Sequence, residues 1–157
     1  MPHIHEKIDF CSETFVVFEN KVLLRKHDKM KIWLSVGGHI ELHEDPCQAA
    51  IREVWEEVGL NVTLYQEPDK QPEFPNSKLK SLIVPQYANR HPITDTHEHI
   101  AFVFFATTKN DVLKLSETEV AEDCRWFTRE ELIKNEFNIP ETTQFYALKA
   151  LEKLKTN

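Results

Sequence analysis

Arg52, Glu53, Glu56 and Glu57 place one guanidinium and three carboxylates within six residues. They sit in the stretch from Gly38 to Leu60, GHIELHEDPCQAAIREVWEEVGL. Spacings of three and four bring the three glutamates onto one face of a helix. Like charges so placed cost roughly 0.2–0.5 kcal/mol per pair on an exposed helix, and more when buried. Arg52, four residues before Glu56, offsets one of them. A divalent cation would offset all three, and oxygen ligands on a fixed scaffold suit Mg²⁺ or Mn²⁺ rather than zinc. Taken alone, the same three glutamates also describe a solvated acidic helix face.

The carrier of these groups has clear ends. Asp45 is a good N-cap, Pro46 a good first helical residue and Gly59 a natural stop, which predicts a helix over 46–58. On a wheel of about 100° per residue, Cys47, Ala50, Ile51, Val54, Trp55 and Val58 share a broad apolar arc. Glu53, Glu56 and Glu57 share another. Ahead of the helix stand Gly37 and Gly38, two of the 3 glycines in the chain, so the backbone there does something unusual.

The whole stretch resembles the Nudix box, G-x5-E-x7-R-E-U-x-E-E-x-G-U with U aliphatic. Gly38 opens it, Glu44 follows, then Arg52-Glu53, Val54, Glu56-Glu57 and Gly59-Leu60, with no departure. The resemblance implies an α/β fold, an α/β/α sandwich with a mixed sheet between helices. It implies a metal-dependent hydrolase that cleaves the pyrophosphate link of a nucleoside diphosphate joined to some group X. Glu53, Glu56 and Glu57 would hold Mg²⁺ (or Mn²⁺), and the loop at Gly37 would add a backbone carbonyl. Arg52 would orient a glutamate, and Glu44 would support the loop or pair with Arg52. A further glutamate outside the box serves relatives as ligand or base; Glu98, Glu117, Glu119 and Glu122 are the choices here. The expected substrate is a nucleoside tri- or diphosphate, as in MutT-like members. An ADP-ribose, nucleotide-sugar or dinucleotide polyphosphate pyrophosphatase is the alternative. A nucleotide-binding module without activity is the different class to weigh.

Other residues hold chemistry less firmly. Arg25 ends a strand and either contacts a substrate phosphate or faces solvent. Phe74 is the one large aromatic of a polar loop over 66–80, and either stacks on a base or tucks over the domain edge. His97 and His99 alternate on one strand face, a possible metal pair that lacks a third ligand. His3 and His5 lie in a polar terminus, residues 1–9, expected to be frayed.

The surrounding elements read as a hairpin over 13–25 turning at Glu19-Asn20-Lys21 and a short strand over 39–41. Strands follow over 61–65 and 81–88, then a buried central strand from His97 to Ala106. A Thr128-capped helix start comes next, then a last helix to Leu154 burying Phe145, Leu148, Leu151 and Leu154. At 157 residues one domain is expected. A net charge of −7 argues against nucleic acid bound through a basic surface. No apolar run approaches the roughly 20 residues of a membrane span, and no signal segment opens the chain. Three cysteines without metal spacing suit a reducing cytoplasm. The expected partner is a small nucleotide, with the protein a monomer or homodimer.

Overall fold

The computed structural model describes residues 7–27, 30–68, 72–114 and 123–155. Eight strands form one mixed sheet. They are β1 (Ile8–Phe18), β2 (Lys21–Lys26), β3 (Trp33–Leu34), β4 (Val36–His39), β5 (Val62–Leu64), β6 (Tyr87–Thr94), β7 (His97–Thr108) and β8 (Cys124–Thr128). The helices are α1 (Pro46–Val58), α2 (Arg129–Lys134) and α3 (Glu141–Lys153). The sheet order is β3-β2-β1-β7-β5, with β4 also on β1, β6 on β7 and β8 on β2. β1 and β7 run parallel through the centre, from Ile8 opposite Glu98 to Val17 opposite Thr107. The other pairings are antiparallel.

Alternation along β1 sorts the two faces. Val16 packs with Leu23, Val36, Val54 and Val58, under α1. Phe15 and Val17 pack with Val103, Phe105, Leu132, Ala147 and Leu151, under α2 and α3. Burying whole apolar side chains on both faces, at roughly 1.5–3 kcal/mol each, holds the three layers together. This is the expected α/β/α sandwich.

α1 spans the residues its signals predict. Asp45 accepts hydrogen bonds from the backbone N–H of Cys47 and Gln48, and Gln48 closes a capping box. Its buried stripe, however, matches the expected arc only in part, at Ala50, Val54 and Val58. Ile51 and Trp55 are exposed, whereas Glu53 and Glu57 are buried beside Ala50, Val54 and Val58. The helix is rolled so that carboxylates, not Trp55, meet β4. The last helix shows the same kind of difference: Phe145 is exposed, while Thr143, Ala147, Ala150 and Leu151 are buried.

Three strand boundaries also differ. β1 begins at Ile8, so Ile8 and Asp9 belong to the sheet rather than to a frayed end; β7 supplies their pairing partners. The glycine pair lies inside β4, which ends at His39. Residues 81–85 form no strand. The strand instead runs over Tyr87–Thr94, beyond the expected end at residue 88. Its edge position on β7 tolerates Pro92, next to a register shift. The β1–β2 turn is as expected, with Glu19 and Asn20 both at positive φ, as a two-residue hairpin turn needs.

Gly59 ends α1 in the left-handed conformation, φ 70°, and a Cβ there would stand 2.7 Å from Lys114 Cβ. Gly59→Ala should therefore lower stability by about 1–2 kcal/mol, from the backbone alone. Urea unfolding of the two proteins checks this; equal midpoints would refute it.

Candidate active site

The Arg52 guanidinium organises the site. Its Nε donates to Glu44 Oε2 at 3.0 Å and its Nη2 to Glu44 Oε1 at 2.6 Å, a two-pronged pair. Its Nη1 donates to Glu53 Oε1 at 2.8 Å and Glu56 Oε2 at 3.0 Å. Its Nη2 also donates to the His39 carbonyl at 3.0 Å, tying α1 to the end of β4. Such charge-assisted, planar contacts are the strong kind. The hydrogen bonds Arg52 donates to Glu44, then those to the neighbouring Glu53, raise its pKa further, so it stays charged. Burial opposes ionisation of Glu44, but the hydrogen bonds from Arg52 and from Glu41 N–H outweigh it and hold its carboxyl low.

Glu57 is buried against the glycine turn. Its Oε2 accepts from Gly37 N–H at 3.2 Å, and its Oε1 lies 3.1 Å from Arg25 Nη2. Arg25, at the end of β2, thus meets a glutamate of α1. Glu53 lies directly under Gly38, where a Cβ would stand 2.6 Å from Glu53 Oε1. At Gly37 a Cβ would meet the Ser12 carbonyl oxygen at 2.0 Å. The pair is glycine because strand and carboxylates approach too closely for any side chain. Glu56 is the outward group, its side chain 52% exposed.

The structure thus brings together Arg25, Gly37, Gly38, Glu44, Arg52, Glu53, Glu56 and Glu57. It does not bring in Glu98, whose carboxylate pairs with Arg90 across β6 and β7. Nor does it bring in Phe74, which is half exposed and lines a separate surface pocket of about 470 Å³ with Lys80 and Ile83. Glu117, Glu119 and Glu122, like His3 and His5, lie outside the described residues.

One buried carboxylate on the other face of the sheet, behind the glycine pair, went unnoticed in the sequence. Glu13 stands opposite Gly37 in the β1–β4 register, and burial pushes its carboxyl up to about 7. Its signal was a glutamate two residues before the apolar run Phe15-Val16-Val17 of β1.

The oxygen-only donor set, two of its carboxylates buried at 3% exposure, fits a hard divalent cation. Among the described residues, no other helix presents such a face. The chain matches the NUDIX domain over residues 14–148. It belongs to the NUDIX family of hydrolases. A NUDIX-family hydrolase from Clostridium perfringens is 38% identical, covering 94% of this chain and 98% of that one, with a TM-score of 0.83. A MutT NUDIX hydrolase from Burkholderia pseudomallei shares the fold at 19% identity, covering 96% and 100%, with a TM-score of 0.65. The dihydroneopterin triphosphate diphosphatase of Haemophilus influenzae is 49% identical over 45 residues, 28% of each chain. That match therefore spans little more than a quarter of the relative. Family members generally use a divalent metal.

Two outcomes test this geometry. Gly38→Ala should displace the Glu53 carboxylate rather than unfold the strand, because the obstructed group is the end of a flexible side chain. Turnover should fall by on the order of a hundredfold while the melting temperature moves little; an unchanged rate would refute the close packing. Glu13 binds a proton on folding between its ordinary value, 4.5, and about 7. Stability of the wild type therefore falls as pH rises through that window. Glu13→Gln removes this slope. In EDTA the variant's melting temperature should gain on wild type from pH 4.5 to 7, and a constant difference would show an ordinary carboxyl.

Proposed function

We propose that this chain is a metal-dependent pyrophosphohydrolase of a small nucleotide, a nucleoside tri- or diphosphate before a nucleotide sugar or dinucleotide. The observation that carries this reading is the glutamate face of α1, held in one arrangement by Arg52. Glu53, Glu56 and Glu57 would hold Mg²⁺, or Mn²⁺, with the Gly37 carbonyl as a further ligand. Such an ion neutralises phosphate charge and makes a bound water more acidic. Water attacks phosphorus, one P–O–P link breaks, and each fragment leaves with a phosphate. Proton acceptance from the water falls to a carboxylate of this face or to Glu117, Glu119 or Glu122, which lie outside the described residues; Glu98 is engaged with Arg90.

The chain's own groups supply positioning. Arg52 keeps the carboxylates apart from one another in orientation while offsetting their repulsion. Arg25 does the same for Glu57 and stands next to where substrate phosphates would meet the metal. The Haemophilus influenzae relative's name specifies a triphosphate, which supports a triphosphate on a base-like ring over an ADP-ribose. The three cysteines are free thiols, in keeping with the cytoplasm, where nucleotides are abundant.

³¹P NMR of product formation tests the reading, with a panel of nucleoside tri- and diphosphates, dihydroneopterin triphosphate, ADP-ribose, nucleotide sugars and dinucleotide polyphosphates. Turnover of a triphosphate in Mg²⁺, abolished by EDTA, is expected. Glu56→Gln should lower that rate by on the order of a hundredfold or more, with the circular dichroism spectrum unchanged. Nucleotide-induced thermal stabilisation without turnover, in Mg²⁺ and Mn²⁺ alike, would overturn the proposal in favour of a binding module.

A further inference from the structure

On the sheet face opposite α1, imidazoles converge on one buried carboxylate. Asp9 and Cys11 of β1 point away from α1, because Ser12, the next residue and so on the opposite face, donates its hydroxyl to the Pro46 carbonyl at the start of that helix. In register beside them stand His39 on β4, opposite Cys11, and His99 on β7, opposite Asp9. His97 shares the face of His99 two residues away. Asp9 Oδ2 lies 3.3 Å from His39 Nε2 and 3.3 Å from His97 Nε2. One donor atom each from Asp9, His97 and His99 lie within 4.8 Å of one another, and so do those of Cys11, His39 and His99. His99 is common to both groups. Its Nε2 is buried and makes no hydrogen bond among the described residues.

We propose that Asp9, His39, His97 and His99 form a second metal site, for a divalent transition ion of the zinc class. Two of the donor spacings match such an ion: bonds of about 2.0–2.1 Å in a tetrahedron space donors about 3.3–3.4 Å apart, as Asp9 stands from His39 and from His97, and His99 offers a donor within 4.8 Å of each of these residues. The donor chemistry fits as well. Three imidazoles and one carboxylate favour Zn²⁺ or Co²⁺ over Mg²⁺, the reverse of the α1 face. Burial, then the neighbouring rings of His39, His91 and His97, push His99 down to about 4, so it is neutral, as a ligand must be. Asp9 is 1% exposed and His97 7%, while His39 and His99 are partly buried, so the cluster is closed at its Asp9–His97 end. An ion here would clasp β1, β4 and β7 at the end of the sheet where β4 leaves the glycine pair. Through the His39 carbonyl, which accepts from Arg52, it would also steady the carboxylates on the far face.

The test uses the full chain, stripped with chelator and titrated with Zn²⁺ in millimolar Mg²⁺, with bound zinc counted by mass spectrometry. One retained equivalent per chain is expected, along with the visible absorption of a tetrahedral ion when Co²⁺ replaces Zn²⁺. The Glu56→Gln/Glu57→Gln protein should keep both signals. The His97→Asn/His99→Asn protein should lose at least roughly tenfold in affinity. Should that double variant fail to fold, His39→Asn, at a half-buried position, reads out the same loss. The proposal is overturned if wild type retains no zinc in Mg²⁺. It is equally overturned if the glutamate variant, rather than the histidine variants, abolishes binding.

Discussion

Two buried glutamates on one helix repel, and that repulsion sets the terms for everything around them. At an effective dielectric of about 20, two carboxylates about 5 Å apart oppose each other by on the order of 3 kcal/mol. Glu53 and Glu57 are both buried under β4, and Glu56 adds a third charge at the surface. Arg52 answers most of it, through five hydrogen bonds to Glu44, Glu53, Glu56 and the His39 carbonyl. Arg25 answers for Glu57. An exposed ion pair contributes little to stability, but a planar, multiply bonded and largely buried one fixes geometry. The clamp leaves a concentrated negative face that a divalent cation would complete.

The scaffold exists to hold that face at a strand end. Val54 and Val58 pin α1 to Val16, Leu23 and Val36, so the helix cannot slide along the sheet. The capping box at Asp45 and the left-handed Gly59 fix its two ends. The glycine pair removes side chains where β4 crosses the carboxylates. Each of these is an ordinary local device. Together they hold the carboxylates in one arrangement, and chemistry at phosphorus needs its groups fixed to within about 0.5 Å.

The same sheet carries two chemically distinct faces because alternation puts successive residues on opposite sides. Ser12 and Val16 of β1 serve α1, whereas Asp9, Cys11 and Glu13 look the other way. Hard oxygen ligands gather on one face and imidazoles on the other. His39 links them, with its ring among the histidines and its carbonyl on Arg52.

The box from Gly38 to Leu60 was legible in the sequence because its physics is local. Caps, a glycine stop and i, i+3 and i+4 spacings act within one helix, so α1 appears with the predicted ends, and Glu44 pairs with Arg52. The central strand His97–Thr108 was legible for a similar reason, an apolar run with no helical period. What the sequence left open depended on partners far along the chain. The roll of α1, which buries Glu53 and Glu57 and exposes Trp55, is decided by the sheet it packs on. Arg25 finds Glu57, and Glu98 finds Arg90, only through strand pairing. The strand over Tyr87–Thr94 rather than 81–88 follows from its register on β7. A lone His97-x-His99 pair becomes a four-residue cluster only when parallel pairing sets Asp9 beside His99 and antiparallel pairing sets His39 beside Cys11. Those separations, of 90 and 28 residues along the chain (99 − 9 and 39 − 11), lie beyond any local signal and belong to the tertiary structure alone.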